Sequence, residues 1–134
     1  MLVGFCSFVL DSGSSLKLLR SNAMKLTDLN QLPMESVSHN AAIKKQVMLR
    51  MGDLPHVTNF SQAIFAPGQV ADVHAHTDMH EVFFVESGVG VIVIDDEHYE
   101  LTPGVCVTVE PNEKHEVSNT GKEELVLTYF GILN

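Results

Sequence analysis

The sequence predicts an all-β fold, a sandwich or barrel of short strands. Three observations lead there. From Gln46 onward, short runs rich in Val, Ile, Phe and Thr alternate with turn residues at even spacing. No stretch of that region places apolar residues at the spacing of an amphipathic helix. The chain of 134 residues is 45% hydrophobic and 19% charged, ordinary values for a globular protein with one modest core.

In chain order, residues 1–23 stand apart. "MLVGFCSFVL" is apolar, but no positively charged stretch precedes it and no clear cleavage site ends it, which argues against a secretory signal. Ser21-Asn22-Ala23 directly before Met24 resembles the remnant that tag removal leaves. Residues 1–23 are therefore expected to be a non-native leader, and residues 24–134 a single domain. Met24–Asn40 is irregular, with room for a short leading strand or helix.

Strands are expected at Lys45–Arg50, Phe60–Phe65, Val70–His76, Glu81–Glu86, Val89–Ile94, Tyr99–Leu101, Val105–Glu110, His115–Ser118 and Leu125–Phe130. The turns between them have visible mechanisms. "APGQ" (Ala66–Gln69) and "TPGV" (Thr102–Val105) put Pro before Gly, which suits a type II turn: Pro fixes the second position and Gly supplies the positive φ of the third. "EPNE" (Glu110–Glu113) has the same shape, with Asn at the left-handed position. Gly88 and Gly90 are expected to flank a hairpin bend, and "DDEH" (Asp95–His98) to make another. Within "VCVTV", Cys106 reads as a small buried residue.

Charge narrows the function. Seventeen acidic and 8 basic residues give a net charge of −9. That balance excludes the concentrated basic footprint that nucleic-acid binding needs. No apolar run reaches the roughly 18–20 residues of a membrane span. Two cysteines, Cys6 and Cys106, make no disulfide framework. A cytoplasmic protein without nucleic-acid or membrane partners is expected.

"VHAHTDMHEVFFVESG" (Val73–Gly88) carries the chemistry. Residues two apart on a strand share a face, so His74 and His76 can point at one ion. Glu81 lies at an odd offset, so Thr77 and Asp78 must bend the chain to bring it round. Three ligands from one bend leave the far side open. His39, His56, His98 and His115 are the histidines available to close it, and His115 opens a strand after the "EPNE" turn.

These residues resemble the cupin superfamily. Its first motif, G-x5-H-x-H-x(3–4)-E-x6-G, is matched by Gly68, His74, His76, Glu81 and Gly88; its second, G-x5-P-x-G-x2-H-x3-N, by Gly104, His115 and Asn119. Glu110 stands where the motif has Pro and Asn112 where it has Gly, with Pro111 between them. The fifteen residues between Gly88 and Gly104 are typical of small single-domain cupins. The resemblance implies a double-stranded β-helix, a jelly-roll barrel, holding a divalent metal on His74, His76, Glu81 and His115. Three imidazoles and one carboxylate suit Fe, Mn, Ni, Co or Zn, and affinity order alone does not choose among them.

The expected function is a metal-binding small cupin, a metal-dependent enzyme of dioxygenase, lyase or isomerase type acting on a small chelating molecule. The alternative is a non-catalytic module that binds or senses a small ligand. His80 and Tyr129 are the candidate catalytic residues. His80 neighbours Glu81 on the opposite strand face, where a surface histidine is the plainer reading. Tyr129 and Gln62 are the polar strand residues placed to support the ligands, and Phe83, Phe84 and Phe130 read as core. A sugar-phosphate enzyme is disfavoured by the scarcity of basic residues in the motif strands, unless Arg50 faces the barrel interior. Val89–Ile94 ("VGVIVI") is apolar on both faces, and with the resemblance to small cupins this makes a homodimer the expected assembly.

Overall fold

The computed structural model describes residues 24–134. The expectations for residues 1–23, Cys6 included, lie outside the described residues. Ten strands follow one short 3-10 helix at Leu29–Gln31. They are β1 (Glu35–Val37), β2 (Asn40–Arg50), β3 (Val57–Phe65), β4 (Val70–His74), β5 (Met79–Ser87), β6 (Gly90–Ile94), β7 (Glu97–Leu101), β8 (Cys106–Val109), β9 (His115–Asn119) and β10 (Leu125–Leu133). Six form one sheet in the order β1-β2-β3-β10-β5-β8, and four form the other in the order β4-β9-β6-β7. Every strand pairing is antiparallel. The fold is an all-β jelly roll.

Strict alternation builds the core. Glu81, Phe83 and Val85 of β5 turn inward, as do Leu125 and Leu127 of β10, Ala63 and Phe65 of β3, and His115, Val117 and Asn119 of β9. With Ile43, Ile92 and Leu101 they fill the space between the sheets. The irregular segment Met24–Asn40 resolves into the 3-10 helix, capped by the Asp28 carboxylate accepting from Asn30 N–H, and strand β1. The Gln46 side-chain amide donates to the Leu29 and Leu32 carbonyls and ties this segment to β2.

The turns follow their chemistry. The third residues Gly68, Gly104 and Asn112 have φ of 80°, 91° and 71°, and each turn closes with a backbone hydrogen bond from its fourth residue to its first. Asp95 and Asp96 make a two-residue hairpin loop with φ of 46° and 72°, the signature of a type I′ turn.

Some expectations are corrected. Gly88 and Gly90 do not flank a hairpin: β5 belongs to the six-stranded sheet and β6 to the four-stranded one, so the chain crosses between sheets there. Cys106 is exposed. On edge strand β8 the alternation that turns Val109 inward turns Cys106 and Thr108 outward, and Cys106 pairs with Phe84, itself 45% exposed. Strand β2 begins at Asn40, five residues before the expected start, and β4 ends at His74.

Asn119 shows what a motif asparagine can do without touching the site. It is 2% exposed, and its amide donates to the Phe65 and Glu123 carbonyls, both at 2.8 Å, while its side-chain oxygen accepts from Gly121 N–H. It stitches β9 to the end of β3 and to the loop that feeds β10.

Candidate metal centre

The site is assembled from both sheets. His74 ends β4 and lies opposite His115, the first residue of β9, while Glu81 projects inward from β5. His76 stands two residues beyond the end of β4, outside the paired strand and just before the bend at Thr77 and Asp78. The turn before β9 holds this segment: Asn112 N–H donates to the His76 carbonyl at 2.6 Å. Asn112, the residue that departs from the motif, therefore holds a candidate ligand in place.

One carboxylate oxygen is the hub. Glu81 Oε2 lies 2.9 Å from His115 Nε2, 3.3 Å from His76 Nε2 and 3.9 Å from His74 Nε2. One ligand atom from each of His74, His76, Glu81 and His115 falls within 4.8 Å of the others, a group that could hold a metal ion. Donor atoms about 2.1 Å from a shared ion and at right angles to one another lie about 3 Å apart, so the cluster has the right scale. The ring orientations fit as well. His74 Nδ1 meets the Asp72 carbonyl at 2.8 Å and His115 Nδ1 meets the Glu113 carbonyl at 3.2 Å. Donation of Nδ1–H to a carbonyl leaves Nε2 to face the centre, the usual arrangement of metal-ligating histidine.

Electrostatics in the metal-free protein follow from burial. Glu81 is 6% and His115 1% exposed. Burial pushes the Glu81 carboxyl up, but the hydrogen bond from His115 and the electrostatic influence of the neighbouring histidines outweigh it and hold it low. Burial pulls His115 down, and the hydrogen bonds to Glu81 and the Glu113 carbonyl outweigh that and hold it high. Both shifts favour the ionised pair, an imidazolium facing a carboxylate. His74 is lowered to about 4, first by burial and then by its histidine neighbours, and stands neutral.

The remaining candidates are spread more widely. His80 leaves β5 on the outer side and pairs with Glu110 at 2.7 Å. Tyr129 lines the cavity beside Glu81, stacked on Phe83 with ring centroids 5.6 Å apart. Burial pushes its hydroxyl up to about 12, against an opposing pull from Ser61. Gln62 sits on the outer face, donating to Glu86, so it supports no ligand. Arg50 does not face the interior; it pairs with Glu35 at the surface. His56 occupies a left-handed turn position before β3, and His98 is exposed on β7.

Two cavity residues escaped the sequence reading. His39, in the turn between β1 and β2, stacks on His74 with ring centroids 3.5 Å apart and planes 13° from parallel. It is one of the four histidines available for closure, and no spacing in the sequence singles out its packing role. Lys45 of β2 lines the same cavity. Its signal was alternation with Ile43 and Val47, both buried, which places all three on one face.

Comparison with known proteins agrees with this architecture. An uncharacterised protein of Methanocaldococcus jannaschii is 25% identical over 67 residues, a match covering 50% of this chain and 54% of that protein. The match therefore spans about half of that relative's length. A structure described as a predicted oxalate decarboxylase of Thermotoga maritima superposes with a TM-score of 0.74 at 19% identity, covering 81% of this chain and 99% of that one. The polyketide cyclase RemF of Streptomyces resistomycificus gives 0.70 at 16% identity, covering 83% and 80%. At such identities the likeness is one of fold. The model of the cupin domain matches residues 61–131, more than half of the sequence, a span that holds His74, His76, Glu81 and His115; the chain belongs to the cupin family.

Proposed function

We propose that His74, His76, Glu81 and His115 bind a divalent metal ion (Fe, Mn, Ni, Co or Zn) and that the protein is a metal-dependent enzyme of dioxygenase, lyase or isomerase type acting on a small chelating substrate. One observation carries the reading: three imidazole Nε2 atoms converge on a single buried carboxylate oxygen. A bound ion of this kind supplies Lewis acidity and a template for a chelating molecule. The chain's own residues do the rest. Phe83 and Leu127 line an apolar wall, and Tyr129, protonated at neutral pH, can donate a hydrogen bond there. His39 braces the His74 ring by stacking. The cavity measures about 160 Å³, below the roughly 300–1,000 Å³ of sites for drug-sized ligands, which favours a small substrate. Fold neighbours described as a predicted oxalate decarboxylase and a polyketide cyclase support an enzymatic role.

A second reading, a non-catalytic module that binds a small ligand, is favoured by one observation. Of the two candidate acid–base residues, His80 faces away from the cavity and Tyr129 is held protonated. We also read the assembly as a cytoplasmic homodimer of single-domain chains. Val73 and Val89 are exposed at 60% and 47%, apolar surface beside the four-stranded sheet that a second copy could cover.

Metal analysis of the purified protein tests the reading, with oxygen uptake on candidate substrates and light scattering on the same sample. About one ion per chain is expected, and His76→Ala should lose most of it. Unchanged stoichiometry in that variant removes the centre. Uptake selects the oxygenase, and a monomer in solution removes the dimer.

A further inference from the structure

We infer that Lys45 is the anion anchor of this cavity and that the ligand is a small organic acid, its carboxylate on Lys45 and a second oxygen donor on the His/Glu cluster. The inference rests on the proposed metal centre and specifies what it binds.

Lys45 stands directly across β2 and β3 from Ala63, a buried residue of the cavity wall. Its methylene stem therefore runs along an interior face. The carboxylate nearest in register is Glu35, its cross-strand partner on β1. Both Glu35 oxygens are engaged by Arg50: Nη1 meets Oε2 at 3.3 Å, and Nη2 makes a closer contact to Oε1. Among the described residues Lys45 takes part in no ion pair. Lys45 is partly buried, and the carboxylate that feels its charge, Glu35, is already held by Arg50. In a chain of net charge −9, such a lysine on a cavity wall is suited to an anion.

The opposite side of the cavity has the same sign. A divalent ion with one carboxylate and three neutral imidazoles leaves a net positive charge, and the ion's own charge dominates such a site. An acid group complements Lys45, and a second oxygen complements the centre. Between them Phe83, Leu127 and Val117 offer apolar contact to a short carbon chain. A carboxylate suits the site better than a phosphate, because one lysine supplies a point charge and, among the described residues, no arginine fork lines the cavity to clamp a larger oxyanion. The competing role for Lys45 is a snorkelling side chain that only covers apolar surface.

Calorimetry on protein loaded with Mn(II) or Zn(II) separates these. The probes are succinate, glutarate and adipate, their uncharged diamides, and inorganic phosphate. Metal content and thermal unfolding are measured first on wild type, Lys45→Met and Lys45→Arg. At least one diacid should bind wild type, its diamide at least tenfold more weakly. Lys45→Met should lose at least tenfold for the acid with metal content unchanged, and Lys45→Arg should recover most of it. Equal acid affinity in wild type and Lys45→Met, or no acid binding to wild type, overturns the inference and leaves the metal centre standing. Phosphate binding in preference to every diacid overturns the carboxylate assignment. Wild type that takes up no metal overturns the centre itself, and this inference with it.

Discussion

At the scale of single residues, the His115–Glu81 pair determines how the centre responds to pH. Metal binding needs the His115 Nε2 lone pair, so it must displace the proton that Glu81 holds there. Above the raised value of His115 no proton competes. Below it, the proton on His115 alone should lower affinity by about tenfold per pH unit. The decline should begin above the ordinary imidazole value of 6.5, because the folded protein holds His115 higher than that. His74, lowered to about 4, adds competition only in much more acid solution. Calorimetry in two buffers of different ionisation enthalpy should count close to one proton released on the acid side of the transition. A flat profile from pH 5 to 8 would contradict the imidazolium assignment. The four clustered residues were legible in the sequence because motif spacing survives any detail of packing. His39 was not, because its stacking depends on which strands become neighbours, and for Lys45 only the alternation with Ile43 and Val47 pointed to an inward face.

At the scale of elements, turn chemistry separates positions that look alike in sequence. Gly104 and Gly88 have φ of 91° and 85°. A Cβ on Gly104 would meet nothing within 4 Å, so Gly104→Ala should cost only the left-handed conformation, about 1–2 kcal/mol. A Cβ on Gly88 would lie 2.2 Å from the Glu124 carbonyl oxygen and 2.7 Å from Leu125 Cα. Gly88→Ala must therefore also push the sheet crossing off the first residue of β10, and its loss should be at least about twice that of Gly104→Ala. Urea unfolding of the two variants gives the comparison; equal losses would show that the crossing yields freely. The Pro-Gly and Pro-Asn turns were legible because their geometry is set by the residues themselves. The role of Gly88 was not, since a glycine at a hairpin and a glycine at a crossing read the same until the distant Glu124 arrives. Cys106 was misjudged for the opposite reason: its identity suggested burial, while the period of two on β8 decided exposure.

At the scale of the molecule, an all-β fold was legible from strand spacing, but pairing order was not. The last strand, β10, lies between β3 and β5, and β4 pairs with β9 across more than forty residues. Such non-local registers depend on loop closure and core shape, and these contacts are slow to form. The same topology places His74 and His115 on one sheet and Glu81 on the other. An ion held by all three links the sheets, and binding that favours only the folded state raises stability by about 2.7 kcal/mol at a hundredfold excess over Kd. Thermal melts with excess metal and with chelator should differ by roughly 10 °C at that ratio, given about 4 °C per kcal/mol for a domain of this size. Identical melting temperatures would mean that the cluster does not grip an ion.

The linkage of two sheets through one cluster has a consequence for exchange. The cavity is lined from both sheets, so a ligand seated there touches both, and the contacts that hold it also hold the sheets together. Release of a molecule and the first parting of the barrel then break some of the same contacts. A change that tightens the hold between the sheets should slow release as well as unfolding.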